Sequence, residues 1–135
     1  MKKIFILIAI VLILATVLIG GAIIMIARSN KEPVVKDFNI EEYHWEIETF
    51  QSDKNVGKVN DSNTAIAQAK ELWIEKYGTI NGIPYDPTRG RKVNVFFDDS
   101  NDCWLIKGTL PPNTKGSVPC AIIQKNGEVL AVWMD

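Results

Sequence analysis

CWLIKGTLPPNTKGSVPCAIIQKNGEVLAVWMD, residues 103–135, is the stretch of sequence that decides the fold. Two apolar runs flank Asn126-Gly127, a dipeptide typical of a two-residue type I′ turn because both central positions of that turn need a positive φ. The turn predicts an antiparallel hairpin with Lys125 opposite Glu128 at its tip. The pairs predicted behind the tip are Ile123 with Leu130, Ala121 with Val132, and Cys120 with Trp133. The stretch contains no His and no Gly-rich phosphate loop, so it predicts a scaffold or a binding face rather than chemistry.

Two more strands are predicted before this hairpin. In residues 92–97 every second side chain is apolar, which is the period of a half-buried strand. A turn at residues 98–102 leads to a strand that begins at Cys103, and Pro111-Pro112 ends it because proline cannot donate to the ladder. One face of this strand is predicted to carry Trp104, Ile106, Gly108 and Leu110. With the hairpin, these strands predict a curved antiparallel sheet.

The clearest helix is predicted at residues 61–78. Asp61 or Ser62 can cap its start, and Gly78 ends it at the position where a left-handed residue is wanted. Its apolar residues recur at spacings of three and four, which predicts one apolar face, and they are Ala65, Ile66, Ala69, Leu72, Trp73 and Tyr77. We expect Trp73 and Tyr77 to pack this helix on the sheet.

A loop rich in glycine and proline follows this helix, at residues 78–92. We expect its apolar side chains, Ile80, Ile83 and Tyr85, to hold it against the domain. A basic group formed by Arg89, Arg91 and Lys92 suits either an acidic partner or plain solvation.

Residues 39–51 satisfy two periods at once. Ile40, Tyr43, Ile47 and Phe50 fit one face of a helix capped by Asn39, whereas Tyr43, Trp45 and Ile47 also alternate with polar residues as in a strand. The density of aromatic and β-branched residues favours a strand from Tyr43 onward.

Residues 4–27 form an apolar run of 24 residues without a charge. As a helix, a run of this length spans roughly 36 Å, more than the hydrocarbon core of a bilayer. Lys2 and Lys3 would also suit a cleaved signal peptide, but the run is too long for one and no A-x-A site closes it. The sequence therefore favours an uncleaved transmembrane signal anchor over residues 1–27.

Orientation rests on the flanking charges, which are nearly balanced between the two ends of the run. The short basic tail followed at once by the apolar run is typical of a signal anchor. This predicts a single-pass cell-membrane protein with its N-terminus in the cytoplasm and its C-terminal domain outside.

A tether is predicted at residues 28–38 and one domain at residues 39–135. All 16 acidic residues but only 13 of the 15 basic ones lie beyond residue 27, which gives about −3 and argues against nucleic-acid binding.

No residue pattern in the chain predicts a catalytic, metal or cofactor site. His44 is the only histidine and has no nearby Cys or Ser partner in sequence. The acidic turn at residues 98–102 has the first spacings of a calcium loop but lacks its glycine and its bidentate Glu. Cys103 and Cys120 are suited to a disulfide only if their strands are offset, and that alternative stays open.

Four segments carry a resemblance to a known family: WIEKYG at residues 73–78, WLIKGTLP at 104–111, GSVP at 116–119 and KNGEVL at 125–130. In this order they resemble the bacterial immunity proteins that have a nuclear transport factor two-like fold, and the resemblance extends over residues 65–133. It implies a small α+β cone that binds and neutralises the cognate toxin of a polymorphic toxin system. It implies no catalytic residue.

The sequence thus predicts an α+β fold in which a transmembrane helix precedes one helix packed on a curved, cone-like antiparallel sheet, with the family-like part at residues 61–135. The predicted function is that of a membrane-anchored, non-enzymatic binding protein similar to toxin-neutralising immunity proteins. An extracytoplasmic ligand-binding or inhibitory module without a toxin is the alternative. Aromatic residues and Arg dominate binding hot spots, so the candidate partner-binding residues are Tyr85, Arg89, Trp104 and Trp133.

Overall fold

A computed structural model describes residues 32–135, and the predicted membrane helix lies outside these residues. This part of the chain contains seven strands: β1 (Val35–Asp37), β2 (Thr79–Ile80), β3 (Ile83–Pro84), β4 (Asn94–Asp98), β5 (Cys103–Lys107), β6 (Pro119–Gln124) and β7 (Val129–Met134). The helical elements are a 3-10 helix (Ile40–Tyr43), α1 (His44–Thr49) and α2 (Ser62–Tyr77). None of the helices in this part of the chain combines the length and the apolar character needed to cross a membrane.

The main sheet has five strands in the order β1-β4-β5-β6-β7, and α2 packs on it, so the predicted α+β class is confirmed. Strands β4 to β7 form an antiparallel meander, as predicted. The edge strand β1 instead runs parallel to β4, with Val35 opposite Val95, and this corrects the expectation of a wholly antiparallel sheet. It also shortens the predicted tether, because residues 35–37 belong to the sheet.

The long helix α2 follows its sequence signals closely. Asp61 caps it, and its Oδ1 atom accepts a hydrogen bond from the Thr64 N–H at 2.7 Å. Trp73 is fully buried, and the Gly78 N–H closes the last turn on the Ile74 carbonyl at 2.8 Å. The backbone of Gly78 has φ −78°, so the left-handed cap that we expected there is absent.

The strand predicted from Tyr43 onward is wrong, because residues 40–49 are helical. The Asn39 side chain accepts the Glu41 N–H at 3.0 Å and caps the 3-10 helix, and α1 continues from it. The apolar residues then fall on one face of the helices, which packs on the sheet face opposite α2, and they are Ile40, Tyr43, Ile47 and Phe50. The helix capped by Asn39, which was the less favoured of the two interpretations of this segment, is the one that forms, and we call residues 40–49 the N-terminal helical layer.

Two hydrophobic cores therefore share the same sheet. Between α2 and the sheet lie Trp73, Trp104, Ile106 and Ile123, with their neighbours. Between the N-terminal helical layer and the sheet lie Leu105, Cys120, Ile122 and Trp133. Successive side chains of a strand point to opposite faces, so adjacent residues such as Trp104 and Leu105 serve different cores.

The β6–β7 hairpin differs from its prediction only near the turn. The pairs Cys120–Trp133 and Ala121–Val132 are confirmed, but Ile123 lies opposite Val129 because the ladder shifts by one residue. Gly127 donates to the Gln124 carbonyl and has φ +97°, whereas Asn126 lacks a positive φ. The connection is thus a three-residue loop with a bulge at Gly127 and not a type I′ turn.

The type I′ geometry occurs instead at Asn81-Gly82, where φ is +52° and +78°. This turn joins β2 to β3 in a separate two-stranded hairpin, with Ile80 paired to Ile83. Both isoleucines are exposed, Ile83 to 68%, so the expectation that they hold the loop against the domain is wrong.

Candidate functional site

Two of the four predicted binding residues lie in the cores. Trp104 is 6% exposed, and its indole N–H donates to the Val59 carbonyl at 2.9 Å. Trp133 is 3% exposed on the other face of the sheet, where its ring stacks on Phe50 with centroids 6.3 Å apart. The sheet separates these two rings, and in this conformation neither offers a surface to a partner.

The other two predicted residues lie together on the loop before β4. The Arg89 guanidinium donates through Nε to the Tyr85 hydroxyl at 2.7 Å, and Arg89 is exposed while Tyr85 is half-buried. Asp86 holds the loop in shape because its carboxylate accepts the Thr88 N–H, the Thr88 hydroxyl and the Gly90 N–H. The hydrogen bonds from Thr88 hold the pKa of Asp86 below its ordinary value, so this carboxylate stays ionised at neutral pH.

This loop forms one wall of a cavity of about 180 Å³. The facing wall is the connection between β5 and β6, and Arg91 bridges the walls by donating through Nε to the Thr109 carbonyl at 3.2 Å. We call this cavity, between residues 87–91 and 109–119, the basic cleft, because Arg89, Arg91 and Lys115 line it and no carboxylate does.

A second surface contains a tryptophan that the sequence prediction did not select. Trp45 lies on α1 and is 64% exposed. Residues three and four positions away are its neighbours on a helix surface, and three of these, Glu41, Glu42 and Glu48, are exposed acids. We call these four residues the acidic Trp45 surface.

Apart from His44, the chain segment that carries this surface has charged residues of a single sign. Six acidic residues and no Lys or Arg occur from residue 37 to residue 53. His44 adds a contact to Glu48, with 3.0 Å between Nε2 and Oε1. The helical interpretation of residues 39–51 would have indicated that Trp45 is exposed, because Trp45 does not lie on the apolar face made by Ile40, Tyr43, Ile47 and Phe50.

The two cysteines are free and lie on the same face of the sheet. Cys103 is opposite Gln124 and Cys120 is opposite Lys107, so four ladder positions, roughly 13 Å, separate them, too far for a disulfide. Burial raises the pKa of the Cys103 thiol to about 12, and burial likewise raises that of Cys120 to about 12. Buried thiols of this kind are poor nucleophiles.

The Asp98 carboxylate, at the start of the acidic turn after β4, is occupied by backbone N–H groups. Asp98 is buried, and its carboxylate accepts N–H groups of Ile40, Ser100 and Asn101 at 3.0 to 3.2 Å. Within residues 32–135 no three side chains of His, Cys, Asp or Glu lie close enough together to hold a metal ion.

Comparison of the chain with models of protein families, with curated proteins and with solved structures found no match. The two surfaces described above are therefore the observations from which function is inferred.

Proposed function

We propose that this chain is a membrane-anchored binding protein that neutralises a basic protein partner, as immunity proteins neutralise toxins, and that it docks through the acidic Trp45 surface. The single observation that carries the proposal is the exposure of Trp45 among acidic side chains. A large aromatic ring that stays mostly in water forgoes part of the stabilisation that full burial gives, about 1.5–3 kcal/mol for a large apolar side chain. A bound partner would recover it.

The chemistry of this surface determines the kind of partner. Trp is among the residues most enriched in binding hot spots, and Glu41, Glu42 and Glu48 surround it with negative charge. Such a field speeds the approach of a positively charged protein and disfavours an acidic one. A partner with an apolar pocket rimmed by Lys and Arg fits both features.

A non-catalytic role is supported by the state of the reactive groups. The two thiols are buried with raised pKa values, and His44 lies on the surface beside Glu48. Neither arrangement pairs a nucleophile with a base, which nucleophilic catalysis would need.

The anchor and the family are parts of the same proposal. Residues 4–27 supply the apolar length for one membrane helix, with the N-terminus in the cytoplasm and residues 32–135 outside. The resemblance of residues 65–133 to immunity proteins with a cone-like nuclear transport factor two-like fold supports a toxin as the partner. Extraction of native membranes with alkaline carbonate tests the anchor: we expect the protein to stay in the membrane with its N-terminus intact, and a soluble form that begins after Ala27 would contradict it.

Docking is tested by co-purification of the tagged full-length chain from its native host in a neutral detergent. We expect a basic protein to co-purify, and Trp45→Ala to weaken its binding about 30-fold, which corresponds to about 2 kcal/mol. Ile83→Ala is the matched control, because Ile83 is equally exposed but lies on the β2–β3 hairpin. Equal binding by the Trp45→Ala variant and the wild type would rule out this surface.

The acidic residues have a separate test. Changing Glu41, Glu42 and Glu48 together to Gln removes the charge but keeps the shape, so we expect slower association with the same partner and a weaker dependence on salt.

The alternative function is a ligand-binding or inhibitory module without a toxin, and the basic cleft favours it. A toxin gene beside this one supports neutralisation, whereas co-purification of a small ligand without any protein supports the alternative.

A further inference from the structure

We propose that the basic cleft binds a phosphate group. The first observation is its charge. Residues 32–135 contain 16 acidic and 11 basic side chains, yet the cleft brings together Arg89, Arg91 and Lys115 without one carboxylate in its lining. A cationic cavity in an acidic domain does not follow from composition. This inference does not depend on the acidic Trp45 surface or on the partner proposed for it.

The second observation is that the two guanidinium groups are held in place. Arg89 uses Nε to bind the Tyr85 hydroxyl, and Arg91 uses Nε to bind the Thr109 carbonyl. Among the described residues their Nη atoms have no hydrogen-bond partner, so these donors remain for a ligand. A guanidinium whose orientation is already fixed loses little freedom when it binds an oxyanion.

The loops that carry these side chains are also ordered by hydrogen bonds. Asp86 binds the backbone of residues 88 and 90, and the Arg91 N–H donates to the Thr88 carbonyl at 3.1 Å. On the facing wall, the Thr109 hydroxyl donates to the Lys92 carbonyl at 2.6 Å and ties the two loops together. The loop before β4 is thus held in shape, and it is joined to the start of the facing wall, before a ligand arrives.

The lining favours phosphate over a single carboxylate. A phosphate monoester carries a charge of about −1.5 to −2 at neutral pH and offers three acceptor oxygens. Three cations and the Ser117 hydroxyl can serve such a group, whereas one carboxylate would leave a cation without a partner. The source is either a soluble phosphate monoester or the head group of an anionic phospholipid.

Another cavity, of about 530 Å³, lies between α2 and residues 50–54, but its cations are already engaged. Lys54 forms an ion pair with Glu75, and the Lys76 ammonium donates to the Val132 carbonyl at 2.8 Å. It therefore offers no comparable set of free donors.

The test is an NMR titration of the full-length protein in a neutral detergent with inorganic phosphate and with glycerol phosphate. We expect saturable chemical-shift changes confined to residues 85–92 and 109–118. We also expect the Arg89→Gln and Lys115→Gln variants to bind phosphate about tenfold more weakly. Arg91→Lys keeps the charge but loses the planar fork, so we also expect weaker binding by this variant. Lys125→Gln removes one exposed lysine outside the cleft and should leave the affinity unchanged.

The source of the phosphate is distinguished in lipid nanodiscs. Discs of phosphatidylcholine are compared with discs that also contain phosphatidic acid. Shifts of the same residues on adding phosphatidic acid support a lipid head group, and saturable shifts with glycerol phosphate alone support a soluble ligand. Absence of saturable shifts in every arm, an equal loss of affinity in Lys125→Gln, or equal binding of acetate would overturn the proposal.

Discussion

Asp98 connects two parts of the chain that are 58 residues apart in sequence. One carboxylate oxygen accepts the Ile40 N–H at 3.0 Å, and the other accepts the Ser100 N–H at 3.0 Å. The carboxylate therefore fixes the start of the N-terminal helical layer to the turn after β4. The bond from Ile40, followed by that from the Asn101 side chain, holds the pKa of Asp98 below its ordinary value.

We predict that Asp98→Asn lowers the free energy of unfolding by about 1–3 kcal/mol, because one of the N–H groups that bond to this carboxylate loses a charged acceptor. A lowered pKa in the folded state gives stability that is present above about pH 4, the unfolded value, and that disappears as the pH falls toward the folded value. Urea denaturation from pH 7 to pH 2 should therefore show that the free energy of unfolding falls less on acidification in the variant than in the wild type.

The Asp98→Asn variant should still lose some stability on acidification, since hydrogen bonds also lower the pKa values of Asp61 and Asp86. Asp99→Asn changes the exposed neighbour and serves as the control. A variant that is as stable as the wild type at neutral pH would show that Asp98 does not join the two parts.

Trp73 and Trp104 belong to the same core but differ in the hydrogen bonding of the indole nitrogen. The Trp104 indole N–H is bonded to Val59, whereas the buried Trp73 Nε1 has no partner among the described residues. We predict that Trp104→Phe destabilises the protein more than Trp73→Phe, by about 1–2 kcal/mol in urea denaturation, because only the first change leaves a carbonyl without its donor. Equal losses would mean that lost packing volume alone sets the cost.

At the scale of the elements, the β6–β7 hairpin depends on Gly127. Its φ of +97° is unfavourable for other residues, and a Cβ built there would overlap the Gly57 carbonyl. The Gly127 carbonyl also accepts the Val56 N–H at 2.9 Å. Residues 54–59 thus run beside the hairpin turn and need the bulge for their contact with it.

We predict that Gly127→Ala costs about 2–5 kcal/mol, the sum of a left-handed backbone and a steric overlap. Gly82→Ala is the matched control, because Gly82 also has a positive φ but a Cβ there meets nothing within 4 Å. It should cost only the backbone part, about 1–2 kcal/mol. Thermal unfolding of both variants checks this, and equal costs would contradict the overlap.

Local signals were enough to predict some elements and not others. The cap at Asp61 and the three- and four-residue spacing specify α2, and alternation specifies β4 and β5. Residues 39–51 fit two periods, and their helical state is decided by the sheet face that they cover, which local pattern cannot describe. The two Asn-Gly dipeptides adopt different turns because residues 54–59 pack beside only one of them.

The binding surfaces were less predictable than the elements. Trp104 and Trp133 were chosen for their chemistry, but burial depends on which strands become neighbours in the sheet. Arg89 and Tyr85 were close enough in sequence for their contact to arise within one loop. The basic cleft also needs Lys115, which only the fold brings opposite that loop.

At the scale of the whole molecule, Cys103 and Cys120 lie on one face of the sheet four ladder positions apart, and we expect that face to open only when the domain unfolds. Cys103 and Cys120 report on this because both thiols are fully buried with raised pKa values. We predict that the single variants Cys103→Ser and Cys120→Ser label with a thiol reagent only through unfolding, with the same urea dependence. Ser117→Cys, on an exposed loop, is the control that should label at once. Faster labelling of one buried thiol would reveal local opening.

The parallel pairing of β1 affects the order in which the protein assembles. β1 is the first strand to leave the ribosome, yet 60 residues separate Val35 from its partner Val95. The meander from β4 to β7 needs much shorter loops to close, so we expect it to form first and β1 to add to it afterwards. Amide hydrogen exchange should accordingly be faster in β1 than in β5 and β6. During synthesis, residues 35–37 thus stay unpaired until the rest of the sheet has emerged.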